Sequence, residues 1–288
     1  MNAADDRPIL VTGAGGKTGR AVLRALVDAG APARALLRGP DRLADAPGLH
    51  GTVETVVGDQ RDRDDLEAAL DGVAAVYAIA PNLHPDEVVM GRALVDACRR
   101  RGLTRVVYHS VIHPQVRAMP HHADKGRVEE LLVTSDLDWT ILQPNAYLQN
   151  LRGYVDGLRD GVYAVPYATD RRLAMVDLDE VAEVAARCLV EGLGVHASFE
   201  LSGPAEVSAD DVAAAAARAL GRPVTAVRRD PATWVAGQSG LCEETRRRLL
   251  AMLTAYDQHG SPGDATVLGA LLGRAPRGLD DVLPALLA

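Results

Sequence analysis

The run Thr12-Gly13-Ala14-Gly15-Gly16-Lys17-Thr18-Gly19 gathers four glycines, two hydroxyls and one lysine into eight residues. Such a run can hold an anion. Gly13 allows a sharp exit from the preceding apolar stretch Ile9-Leu10-Val11, Gly16 lets backbone approach a diphosphate, and Gly19 lets a following helix pack close to the strand. A helix opening at Lys17 would aim free N–H groups and the positive end of its dipole at the phosphates. Thr12, Gly13, Gly15, Gly16, Lys17, Thr18 and Gly19 are therefore the candidate diphosphate-binding residues. A dinucleotide with an unphosphorylated ribose is usually met by an acid at the end of the second strand. Here that position reads Leu36-Leu37-Arg38-Gly39-Pro40, with no acid until Asp41. Arg38 can fork onto a 2′-phosphate, and Lys17 can reach the same group. NADP(H) is expected over NAD(H).

Such a loop needs a strand before it, a helix after it, and parallel strands beside it. The first 150 residues supply that rhythm of short apolar runs and longer amphipathic ones. Strands are expected at Ile9–Thr12, Ala33–Leu37, Val53–Val57, Ala74–Ile79, Arg105–His109 and Trp139–Leu142. Helices are expected at Lys17–Ala29, Asp64–Leu70, Asp86–Arg101, and from Pro120 to near Ser135. The rhythm then loosens. Residues 151–176 read as a helix and an irregular loop. Asp177–Val190 reads as a helix with Asp177 and Glu180 at capping-box spacing. Phe199–Leu201 reads as a strand, Asp210–Leu220 as an alanine-rich helix, and the remainder as mainly helical. The fold class expected is α/β, a doubly wound parallel Rossmann sheet with a smaller, mainly helical C-terminal substrate lobe. The dinucleotide-binding domain is placed at 1–150 plus about 177–203, and the lobe at 151–176 and 204–288.

Ligands of such sheets sit outside the carboxyl ends of the strands. That puts Asp59 and Gln60 near the adenine, Ala80 and Pro81 along the cofactor, and Pro144, Asn145 and Tyr147 near the nicotinamide and substrate. Asn150 is assigned to the pocket floor.

The formal charge of −8 argues against a sequence-independent grip on nucleic acid, which needs a basic face. No apolar run reaches the length of a membrane span. The acidic stretch Met1–Pro8 has no basic leader region, so no secretory signal is read. Cys98, Cys188 and Cys242 lack metal-ligand spacing, and each sits in an apolar helical context; three reduced, buried thiols in a cytoplasmic protein are expected. His109, His113, His121 and His122 crowd one region without the spacing of a zinc site, and no metal is expected. With aromatics at only 3%, the core must be built from Ala, Val and Leu. Of 31 basic residues only Lys17 and Lys125 are lysines. That bias suggests a GC-rich genome, and bacterial secondary metabolism is the setting it brings to mind. A lysine retained against such a bias is more often needed as lysine.

The glycine loop resembles that of the extended and atypical short-chain dehydrogenases. Gly58-Asp59 before an acidic helix, Lys125-x-x-x-Glu129 followed by Leu131-Leu132, Trp139-Thr-Ile-Leu-Gln-Pro144 and Asn145-Ala-Tyr-Leu-Gln-Asn150 are similar to the NmrA-like branch, as is the tail Leu272-Gly-Arg-Ala-Pro276. The resemblance implies a Rossmann fold that prefers NADP(H). It also implies a Tyr-x-x-x-Lys pair, in which the lysine binds the nicotinamide ribose and lowers the tyrosine pKa. Here Lys125 is present and His121 stands at the tyrosine position. An imidazole can move a proton near neutrality, so Lys125, His121 and Ser110, at the end of the fifth strand, are the candidate catalytic residues. Ser110, Lys125 and Pro144 are also expected against the cofactor. His121, His122, Asn145, Tyr147 and Asn150 are the substrate-side candidates.

Three functions fit these readings. One is an NADPH-dependent reductase of a small quinone, imine or enone-like compound. The second is a non-catalytic NADP(H) sensor with a protein partner. The third is a non-redox isomerase or cyclase using His121. The partner expected in the first case is a small molecule, with no nucleic acid and no membrane; a homodimer is compatible with all three.

Overall fold

The computed structural model describes residues 6–288; Met1 to Asp5 of the acidic start, and the side chain of Asp41, lie outside that description. In chain order the elements are β1 (Ile9–Val11), α1 (Lys17–Asp28), β2 (Ala33–Leu37), β3 (Glu54–Val57), α2 (Arg63–Ala69), β4 (Ala75–Ala78), α3 (Glu87–Arg101), β5 (Arg105–His109), α4 (Pro120–Val133) and β6 (Asp138–Pro144). There follow α5 (Val155–Arg159), β7 (Val162–Val165), α6 (Leu178–Val190), β8 (Ala197–Leu201), α7 (Ala209–Leu220), β9 (Thr225–Arg228), α8 (Pro231–Ala236), α9 (Glu243–His259), α10 (Thr266–Leu272) and α11 (Leu279–Leu287).

Seven strands form one sheet in the order β3-β2-β1-β4-β5-β6-β8. The pairs from β3 through β6 are all parallel, with Val11 beside Ala35 on one flank and Tyr77 on the other. The order reverses at β1, so the crevice beyond its carboxyl end is the topological switch point where doubly wound sheets take ligands. Near-continuous apolar runs such as Ile9-Leu10-Val11 suit strands covered on both faces. Leu10, Val76, Val106 and Ile141 of the sheet pack with Leu66 of α2, Leu94 of α3 and Leu132 of α4. The helix α1 buries Val22, Leu23 and Leu26.

The chain divides into two compact units. The first runs to Pro114 and takes Asp124–Gln143 and Ala182–Phe199; the second holds Gln115–Ala123, Pro144–Val181 and Glu200–Ala288. The sequence reading places the boundary near residue 150 and does not foresee the short transfer at 115–123. The second unit has its own core, in which Leu148, Leu158, Val165 and Leu283 surround Tyr163. It also contains the one clear departure in secondary structure. Residues 151–176, expected as helix and irregular loop, contain β7, and β9 lies in the tail expected to be mainly helical. The two pair in parallel, Val162 with Thr225 and Val165 with Arg228. Both strands have four residues, too short to assert a period against helical neighbours.

Two smaller expectations are corrected. Glu180 does not close a capping box with Asp177. It is fully buried, takes a hydrogen bond from Arg274 Nη1, and accepts the Arg277 backbone N–H at 3.0 Å, while Arg277 Nη2 pairs with Asp177 at 2.6 Å. The similar-looking tail Leu272–Pro276 thus ends in a polar tether. Of the three cysteines, Cys98 and Cys188 are buried and burial pushes their thiols up to about 12 and about 11, but Cys242 is exposed. Cys242 is the N-cap of α9, followed by Glu243 and Glu244, and so lies at the helix end rather than on its apolar face. Among the described residues no helix is long and apolar enough to cross a membrane, and no cluster of three or more His, Cys, Asp or Glu could hold a metal ion.

Candidate active site

The glycine loop begins with Thr12, whose hydroxyl donates to Ile79 O at 3.0 Å and accepts the Ile79 N–H at 2.9 Å. This side chain is buried and stitches the exit of β1 to the exit of β4. It sets the loop's starting point and has its polar capacity engaged there. Gly13 takes φ of +57°, and a Cβ on it would lie 2.9 Å from the Ile79 carbonyl oxygen. Gly16 is the N-cap of α1 in extended conformation and offers no side-chain cap. The first intrahelical bond runs from the Arg20 N–H to Gly16 O at 3.0 Å, so the N–H groups of Lys17, Thr18 and Gly19 precede any helical acceptor. No acid occupies the first turn, and Lys17 stands exposed at its start. The glycine cradle, the uncapped amides and the lysine together fit a diphosphate.

Two arginines that the sequence reading passes over complete this end. Arg20 donates from Nε to Gly15 O at 3.1 Å, and from Nη2 to Arg42 O at 2.6 Å and to Asp45 at 2.8 Å. It ties the glycine loop to the 3-10 turn Pro40–Leu43 that follows β2. A Cβ on Gly15 would meet Arg42 Cβ at 3.2 Å, so Arg42 lies against the loop, four residues after the exposed Arg38. The available signal was an arginine directly after the last loop glycine, and a second one four residues past Arg38.

Asp59 and Gln60 follow β3. Asp59 receives Arg61 Nη2 at 2.6 Å and the Arg61 N–H at 2.9 Å, and these bonds bring its carboxyl down to about 2. Arg38 adds a smaller Coulombic pull on the same group. Gln60, Thr12, Ala80, Glu87 and Tyr108 line a cleft; Pro81 continues the same loop, half-buried.

Lys125 is buried. Its Nζ donates to Glu87 Oε1 at 3.0 Å and to His109 O at 2.9 Å, and lies 5.1 Å from the centroid of the Tyr108 ring. Tyr108 OH donates to the same Glu87 Oε1 at 2.7 Å. Burial, followed by the Glu87 charge, raises the Tyr108 pKa well above its ordinary value. His109 is hydrogen-bonded through Nδ1 to Tyr77 OH, and burial, helped by the Lys125 charge, lowers it to about 3, so it stays neutral. Ser110, also buried, gives its hydroxyl to Glu129, which accepts Gln143 Nε2 at 2.9 Å as well; burial raises the Glu129 carboxyl. Glu87 is missing from the sequence reading, which absorbs it into the expected start of α3. The signal was an acid followed by the apolar run Val88-Val89-Met90.

His121 and His122 open α4, both buried, with ring centroids 4.4 Å apart in a T-shaped pair. Pro144 ends β6 and is buried. Asn145 is buried too. Its Nδ2 donates to the carbonyls of Ser261 and Pro262 at 3.2 and 3.3 Å, and its Oδ1 accepts from the Ala146 N–H and Ser261 Oγ, both at 2.8 Å. The side chain expected to touch substrate thus works as a staple. Tyr147 is half-buried and precedes a 3-10 turn, while Asn150 is exposed.

A model of the NAD(P)H-binding family matches residues 13–192. An NAD(P)H azoreductase of Xenophilus azovorans is 33% identical over 223 residues, covering 75% of each chain. A (4-alkanoyl-5-oxo-2,5-dihydrofuran-3-yl)methyl phosphate reductase of Streptomyces griseus is 34% identical over 220 residues, again 75% of each. Among solved structures, an NADPH-dependent quinone oxidoreductase of Escherichia coli complexed with NADPH shares the fold with a TM-score of 0.84 at 23% identity, covering 97% of this chain and 100% of that one.

Proposed function

The chain belongs to the NAD(P)H-binding family, and from that premise we propose that it is an NADPH-dependent reductase of small conjugated acceptors, of the NmrA-like branch of atypical short-chain dehydrogenases. The acceptor class favoured is a planar quinone, azo, imine or enone compound. The names of the relatives support a reductase; the class of acceptor is our reading. The observation that carries the proposal is the cradle of residues 13–19, in which Gly13 and Gly19 occupy positions that a Cβ would block and α1 opens with uncapped N–H groups.

When bound, the dihydronicotinamide supplies the hydride, and the protein supplies binding and orientation. Gly13–Gly19 fit the diphosphate. Arg38 and Arg42, at the end of β2 and against Gly15, would fork onto a 2′-phosphate, which favours NADP(H) over NAD(H). Lys125, fixed between Glu87 and His109 O, would offer its ammonium to the nicotinamide ribose. Its tyrosine counterpart is absent at position 121, and the phenol beside Lys125, that of Tyr108, is held protonated by burial and Glu87. Acceptors that need little enzymic protonation suit such a site. Loss of nicotinamide absorbance on mixing the chain with NADPH and a soluble quinone or azo dye tests the reading. Tight NADPH binding with no turnover across such a panel would favour the sensor instead.

A further inference from the structure

We propose that Glu87 is a positioning residue for the cofactor, acting through Lys125. The proposal rests on the reading above, in which Lys125 serves the nicotinamide ribose. Glu87 sits in the first turn of α3, where the helix dipole favours a carboxylate. It is only 4% exposed and borders the cleft at the carboxyl end of β4. A single oxygen, Oε1, takes both the Lys125 ammonium and the Tyr108 hydroxyl. With His109 O occupying a second N–H of Lys125, two of three donors are fixed and the direction of the third is set. The charged neighbours agree. Glu87 comes from α3, Asp124 and Glu129 from α4 itself, and neutral His109 and protonated Tyr108 from β5. His121 and His122, about one turn earlier on α4, are the remaining titratable residues of that helix start.

A buried ammonium held this way loses little freedom when a ribose hydroxyl arrives, because its ordering is already complete. Removing the carboxylate would free the lysine side chain to take other rotamers, so Glu87 should couple to Lys125 in cofactor binding, beyond any effect on stability.

The test is a double-mutant cycle in the full chain, with calorimetric NADPH titration and steady-state reduction of a soluble quinone. Wild type that binds no NADPH refutes the functional reading before Glu87 is asked. If wild type binds, Glu87→Gln should raise Kd and the KM for NADPH together, roughly tenfold, with kcat changed less. Lys125→Met should do the same. The double variant, which carries no buried charge left unpaired and should fold even where a single one does not, should bind no more weakly than the worse single variant. Tyr108→Phe should cost less than either. Overturning results are a Glu87→Gln chain that loses thermal stability but keeps its Kd and KM, penalties that multiply independently in the double variant, or a double variant that binds as tightly as wild type.

Discussion

A Cβ placed on Gly19 would lie 2.5 Å from the carbonyl oxygen of Gly13. The next neighbour, Ala14 Cα, is at 2.7 Å, and both are backbone that cannot swing aside. The start of α1 therefore rests directly on the turn that leaves β1. Gly19→Ala should push the two apart, at about 1–3 kcal/mol for overpacking, and move the N–H groups meant for the diphosphate. Thermal unfolding and NADPH titration should register both losses. A variant with unchanged affinity would show that the cradle does not bind through this contact.

Arg38 and Arg42 should read the 2′-phosphate. Arg38→Ala is expected to weaken NADPH binding by roughly tenfold or more, the scale of a lost charged hydrogen bond, while leaving NADH binding nearly unchanged. Competitive titration with both dinucleotides measures the ratio. Equal losses for the two would remove the basis of the preference.

His109 gives a pH signature. The folded protein keeps it neutral down to about 3, whereas the unfolded chain takes up a proton near the ordinary imidazole value of about 6.5. Between those values the unfolded state binds more protons, so this contribution is intact above the upper value and is lost as pH falls toward the lower. The slope has a ceiling of about 1.4 kcal/mol per pH unit. Denaturant midpoints of wild type and His109→Gln should converge as the buffer is made more acidic through that window. A gap independent of pH would contradict the assignment.

Asn145 should behave as a staple. Asn145→Ala leaves the Ala146 N–H and Ser261 Oγ short of an acceptor, at about 1–3 kcal/mol of stability. Well below the variant's melting temperature, KM for the acceptor should match wild type. A raised KM in the folded variant would return Asn145 to the substrate side.

The legible part of the molecule is the part that repeats a strong local rule. The spans Ala33–Leu37 and Arg105–His109 form strands where their apolar runs predict, and α1 opens at Lys17, directly after the glycines at 13, 15 and 16. The candidate-site residues that the sequence does not reveal are those whose contacts exist only in three dimensions. Glu87 meets Lys125 across 38 positions, and Arg20 reaches Asp45 across 25; no spacing rule links such pairs. The strands β7 and β9 escaped for a related reason, since each is defined by a partner some 60 residues away. Asn145 follows β6 as expected, but its side chain turns toward Ser261, a choice made by the fold of the second unit.

The central claim is that the amides of residues 13–19 at the start of α1 hold the diphosphate of a reducing dinucleotide. Calorimetric titration of the purified chain with NADPH, repeated on Gly19→Val, tests it most directly. The expected result is saturable binding by wild type, with Kd on the order of micromolar, and none detectable by the variant. A wild-type chain that gives no heat at millimolar NADPH or NADH, or a folded variant that binds as wild type does, would contradict it.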